Sequence, residues 1–128
     1  RETTIKDLAK VRELTKGTLK VIIECEAIRH FCTQRKDGPE VYETEIRDIA
    51  TIVESSGADF IKTSSGLIPK TRIEHLYEDI TLIKKYCKLP IKAAGGIKSL
   101  EIVQKCLDLG VARIGTSNGI KILGEIKD

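Results

Sequence analysis

The stretch Leu89-Pro90-Ile91-Lys92-Ala93-Ala94-Gly95-Gly96, read with Ala58-Asp59-Phe60-Ile61-Lys62-Thr63-Ser64 before it, decides the fold. Each is a brief run of branched or small apolar residues that ends in glycine or a hydroxyl, as short buried strands do. Each also places one lysine near its end. Two more runs share the character, so four strands are expected: Leu19–Glu24, Ala58–Thr63, Leu89–Ala93 and Ala112–Thr116.

Outward from these strands the pattern turns helical at Val41–Ser56, Thr71–Cys87 and Leu100–Leu109, with one helix earlier at Ile5–Leu14 and a short one at Asn118–Ile126. In Val41–Ser56 the residues Ile46, Ile49, Ile52 and Val53 recur at three- and four-residue spacing and share a face. Gly57 and Gly110 read as helix stops, and Ser99 as the N-cap of the helix that begins at Leu100. The charged stretch Cys25 to Tyr42, with Arg29, His30 and Arg35 to Pro39, reads as a solvated excursion after the first strand.

Strands alternating with helices through right-handed crossovers are parallel, which gives an α/β class. An open doubly wound sheet and part of a (β/α)8 barrel remain as alternatives. Barrel enzymes keep their chemistry at the carboxyl ends of the strands, and here the strands end in Glu24, in Lys62-Thr63-Ser64, in Lys92 ahead of Gly95-Gly96, and in Gly115-Thr116-Ser117. The reading is therefore a (β/α)8 TIM barrel, of which residues 1–128 supply the carboxyl-terminal half, about the last four βα units. Half a barrel exposes two strand edges and an inner face, so an upstream half or a second copy is expected to cover it. The absence of methionine, even at position 1, favours the upstream half.

At 128 residues with 41% apolar and only 4% aromatic content, the core must be built from Ile, Leu, Val and Ala. The formal charge of +3 is interspersed along the chain, which gives no basic face for nucleic acid. Neither a membrane span nor a signal-peptide core is visible, and a cytoplasmic location is expected. Cys25, Cys32, Cys87 and Cys106 lie scattered, with His30 and His75 unsuitably spaced, so no metal site is expected.

Side chains alternate along a strand, so if Ile61 and Ile91 face the helices, Lys62 and Lys92 face the interior. One such lysine reads equally well as half of an ion pair. Two at matching depth on neighbouring strands can come within ~5 Å, where the repulsion is roughly 3 kcal/mol at an effective dielectric of about 20. That is enough to leave a useful fraction of one lysine as neutral amine, the form that attacks a carbonyl. The resulting iminium withdraws electrons from the neighbouring carbon, and a carbon–carbon bond can break or form through an enamine. Such chemistry requires no metal or organic cofactor. Downstream, Gly95-Gly96 and Gly115-Thr116-Ser117 precede helices and can gather N–H groups for a phosphate, with Lys98 nearby.

The blocks Lys20-Val21-Ile22-Ile23-Glu24, Ala58-Asp59-Phe60-Ile61-Lys62-Thr63-Ser64-Ser65-Gly66, Ile91-Lys92-Ala93-Ala94-Gly95-Gly96-Ile97 and Arg113-Ile114-Gly115-Thr116-Ser117 together resemble the deoxyribose-phosphate aldolases, from about Lys20 to Leu123. The resemblance implies reversible cleavage of 2-deoxyribose 5-phosphate to glyceraldehyde 3-phosphate and acetaldehyde. It places Lys62 on the family's Schiff-base lysine and Lys92 on its second lysine. Gly66, Gly95, Gly96, Gly115 and Ser117 fall on positions associated with the phosphate. The family's catalytic aspartate, on the preceding strand, has no counterpart in this sequence. The partners expected are a phosphorylated sugar and either further copies of the chain or an amino-terminal half-barrel. A phosphate-binding barrel enzyme that anchors its substrate on Lys62 and Lys92 without an imine, and a non-catalytic half-barrel, are the competing readings.

Overall fold

The computed structural model describes residues 2–69 and 72–126. Its elements run α1 (Glu2–Leu14), β1 (Lys20–Ile22), α2 (Cys25–Gln34), α3 (Pro39–Ser55), β2 (Phe60–Lys62), α4 (Ile73–Tyr86), β3 (Ile91–Ala94), α5 (Leu100–Asp108), β4 (Arg113–Gly115) and α6 (Gly119–Gly124). All four expected strands are present, shorter than expected, with β3 shifted to run one residue past Ala93. The helices expected around α1, α3, α4, α5 and α6 are present as well, although Thr71, the expected start of α4, lies outside the described residues. Ser99 caps α5 by accepting the Ile102 N–H at 3.3 Å, and Gly57 and Gly110 follow α3 and α5 with left-handed backbones.

The strands pair in parallel in the order β1-β2-β3-β4. A doubly wound sheet reverses its strand order at a switch point. No reversal occurs among these four strands, so the chain is four consecutive βα units of a (β/α)8 barrel. Ile61 on β2 and Ile91 and Ala93 on β3 turn outward and are at most 1% exposed. Against them pack Ile46, Ala50 and Val53 of α3 and Leu76, Ile80 and Ile83 of α4, all essentially without solvent contact. The helical stripe on α3 is therefore Ile46, Ala50 and Val53, with Ile49 and Ile52 at its margin.

One expectation fails. The stretch from Cys25 to Tyr42 is not a solvated excursion: it forms α2 and opens α3, with Pro39 in the first turn where its missing N–H costs nothing. Cys25, Cys32 and Tyr42 are buried, and Arg29 and Glu26 turn to α4, while His30, Arg35 and Lys36 stay exposed. Arg29 pairs with Glu78 at 2.7 Å and with the fully buried Asp79, while its guanidinium lies 4.1 Å from the Tyr42 ring centre. The Tyr42 hydroxyl donates to the same Asp79, and Glu26, 6% exposed, takes His75 Nδ1 at 3.2 Å.

Candidate active site

β2 and β3 end side by side, and Lys62 and Lys92 are register partners across them. Because Ile61 and Ile91 turn to the helices, both lysines turn to the opposite, inner face. The inner row continues with Arg113 beside Lys92 and Ile22 beside Lys62. One inward step earlier on β1 and β2 lie Lys20 and Phe60, and the Arg113 guanidinium sits 4.3 Å from the Phe60 ring centre. Four cations thus share this face, and among the described residues no carboxylate is in ion-pair range of any of them. Lost hydration, followed by the charges of Lys20, Lys62 and Arg113, holds the Lys92 ammonium below the usual lysine range.

A cavity of about 550 Å³ opens at the carboxyl ends of β2, β3 and β4. Lys62, Gly66, Gly95, Gly96, Gly115 and Ser117 all line it, so the structure brings together every expected site residue except Lys92, which stands beside it. Gly95 and Gly96 follow one another with φ of 95° and 74°, a pair of left-handed turns that only glycine adopts without strain. Among the described residues the N–H groups of Gly95, Gly96 and Ser117 have no intramolecular acceptor, which leaves them for an anion. The Gly66 N–H differs, since it donates to Ser64 Oγ at 3.0 Å.

Gly115 serves the second lysine. A Cβ placed there would lie 3.1 Å from Lys92 Cε, so the bare backbone of β4 makes room for the Lys92 chain. Another depression, of about 670 Å³, lies between α4 and α5 around Tyr77, Glu101 and Lys105. Neither Lys62 nor Lys92 lines it.

Three hydroxyl or carboxyl groups at the strand ends have structural duties that their spacing did not disclose. Thr63, wholly buried, donates to the Ala94 carbonyl and accepts the Ala94 N–H, both at 3.1 Å, and so locks β2 to β3 just past the lysines. Thr116 Oγ1 donates to the Ile97 carbonyl at 2.6 Å and accepts the Asn118 N–H at 3.0 Å, which joins the two glycine-rich loops. Glu24 accepts from Ser64 Oγ and from the Ser65 N–H. Their positions at strand ends were the only signal in the sequence.

An amine in register with a second cation thus stands at a cavity lined by unpaired backbone N–H groups, and comparison with known proteins identifies the fold family that carries it. The sequence fits the model of a family described as DeoC/LacD family aldolase over residues 2–125. It is 37% identical over 116 residues to a deoxyribose-phosphate aldolase of Aquifex aeolicus, covering 89% of this chain and 46% of that protein. With a deoxyribose-phosphate aldolase of Mycoplasmopsis pulmonis the identity is 35% over 125 residues, 95% of this chain and 50% of the relative. Among solved structures, one described as "QR15, an Aldolase" superposes with a TM-score of 0.74 at 35% identity, over 97% of this chain and 50% of its own. The chain thus spans about half the length of the curated relatives it matches. Family model, relatives and shared fold agree, and the chain belongs to the DeoC/LacD aldolase family.

Proposed function

We propose that this chain is the imine-forming and phosphate-binding part of a class I deoxyribose-phosphate aldolase, a lyase, and supplies about the last four βα units of its barrel. The observation that carries the reading is the in-register pair of Lys62, which lines the cavity, and Lys92 beside it, with the N–H groups of Gly95, Gly96 and Ser117 in the same cavity.

In the cleavage direction the neutral Lys62 amine adds to the C1 aldehyde of open-chain 2-deoxyribose 5-phosphate, and loss of water leaves an iminium. The C2–C3 bond then breaks and its electron pair forms the enamine. A base removes the C3 hydroxyl proton as that carbon becomes the aldehyde of glyceraldehyde 3-phosphate. Protonation of the enamine at C2 and addition of water release acetaldehyde and restore Lys62. The phosphate rests on the Gly95, Gly96 and Ser117 loops with Lys98 at their edge, while Gly66 and Gly115 shape the walls. No metal or organic cofactor enters the scheme. The family resemblance implies a carboxylate for the proton transfer, which an additional half-barrel would supply. No described helix is long and apolar enough to cross a membrane, and we assign the enzyme to the cytoplasm.

The test is turnover by the chain assembled with the complementary half-barrel of a relative. Lys62→Arg keeps the charge and removes the nucleophile, so formation of glyceraldehyde 3-phosphate should fall by roughly a thousand-fold or more. Turnover that survives in the Arg variant would favour a barrel enzyme that uses the lysines as anchors only.

A further inference from the structure

At the junction of β1 and α2, Glu24 has φ 52° and ψ 65°, a left-handed conformation that is costly for a residue with a Cβ. The turn itself starts α2, since the Glu24 carbonyl accepts the Ala27 and Ile28 N–H groups at 3.0 and 3.3 Å. Glycine would make that turn without strain. What glycine lacks is the side chain, and the side chain reaches the next strand. Its carboxylate accepts from Ser64 Oγ at 2.8 Å and from the Ser65 N–H at 2.9 Å. Ser64, wholly buried, in turn accepts the Gly66 N–H at 3.0 Å.

One carboxylate between β1 and α2 therefore holds three consecutive residues, Ser64, Ser65 and Gly66, that begin two positions after Lys62. Ser65 and Gly66 line the cavity beside that lysine. The Ser64 hydroxyl and the Ser65 N–H both donate to Glu24, which suits a carboxylate with its two acceptor oxygens. A carboxamide would offer one oxygen and turn its NH2 toward a donor.

We propose that Glu24 is a positioning residue for the reaction: its carboxylate holds the Ser64-Ser65-Gly66 turn as the wall that, with the Gly95-Gly96 and Ser117 loops, shapes the cavity around the sugar phosphate. The strained backbone at Glu24 is retained because it aims this group. The inference rests on the aldolase reading of the cavity, and its test separates the two.

Glu24→Gly removes the carboxylate and relieves the backbone, while Glu24→Ala removes the carboxylate alone. Amide exchange is followed at Ser65 and Gly66, with Ile46 and Ile80 as reporters of the core. Borohydride trapping on Lys62 is measured with acetaldehyde and with deoxyribose 5-phosphate. In both variants exchange at Ser65 and Gly66 should quicken by about ten-fold or more while the core reporters hold, the scale of one lost charge-assisted hydrogen bond. The half-saturating sugar phosphate should rise by a similar factor, with trapping of acetaldehyde changed less than about three-fold. If Glu24 serves the backbone only, Glu24→Gly will equal or surpass the native chain in every readout, and the proposal is overturned. Equal losses with acetaldehyde and with the sugar phosphate would also overturn it. Should the native chain form no adduct with either carbonyl, the aldolase reading fails, and exchange at Ser65 and Gly66 alone decides the clamp.

Discussion

Lys92 is where the electrostatics of the inner face can be read most directly. Its charged form is disfavoured by lost hydration and by Lys20, Lys62 and Arg113. A lysine whose folded pKa is depressed weakens the fold at every pH below that value, and the penalty fades as pH rises through it toward the unfolded value of ~10.4. Lys92→Leu should therefore gain stability over the native chain at neutral pH, and the gain should shrink across that alkaline window. Denaturation curves at neutral and alkaline pH check it; a pH-independent difference would show that packing, not charge, decides. The same variant removes the cation that stands in register with Lys62, and its rate of trapping with acetaldehyde at pH 7 should fall. At this scale the lysine pair was legible because strand alternation and two matching motifs fix which way each side chain points. The duty of Glu24 was not, since a hydrogen bond between residues 40 positions apart leaves no local pattern.

Helix α2 shows how charge can hide an element. Cys25, Ile28 and Cys32 recur at three- and four-residue spacing, yet the run of Glu, Arg, His and Lys around them reads as surface until α4 supplies its partners. Asp79 is the buried hinge of that contact. It accepts from Arg29 and from the Tyr42 hydroxyl, which burial pushes far above its usual range and so keeps as a donor. Arg29→Ala would leave Asp79 buried with only part of its compensation, at a cost of about 2–4 kcal/mol, reduced from a fully buried pair because Arg29 is partly exposed. Urea denaturation measures it. A loss under about 0.5 kcal/mol would mean that α2 is held by its apolar face alone. The other helices and all strands were legible because their apolar spacing and their caps, such as Ser99, are local.

At the scale of the whole molecule, the sheet ends at β1 and β4, and its inner face carries Lys20, Lys62, Lys92 and Arg113 beside the half-exposed Ile22. A second copy laid on this face would set four cations against four. A covering layer with inward carboxylates, such as the other half of a barrel, would neutralise them, and we favour it over self-association there. The chain on its own should then be monomeric at low ionic strength and associate only as salt shortens the Debye length, ~10 Å at 0.1 M and ~3 Å at 1 M. Light scattering across that range decides, and a dimer equally tight at low salt would mean that copies meet elsewhere, for instance through exposed Ile120 and Leu123 of α6. That four strands make half a barrel was legible in the sequence; the cationic row was not, because Lys20 and Arg113 join it only through pairing register.

The central question is which lysine forms the imine. Incubating the chain with acetaldehyde, reducing with borohydride and mapping the peptides by mass spectrometry answers that directly. The adduct is predicted on Lys62, and an adduct found mainly on Lys92, or on any other lysine, would contradict the account.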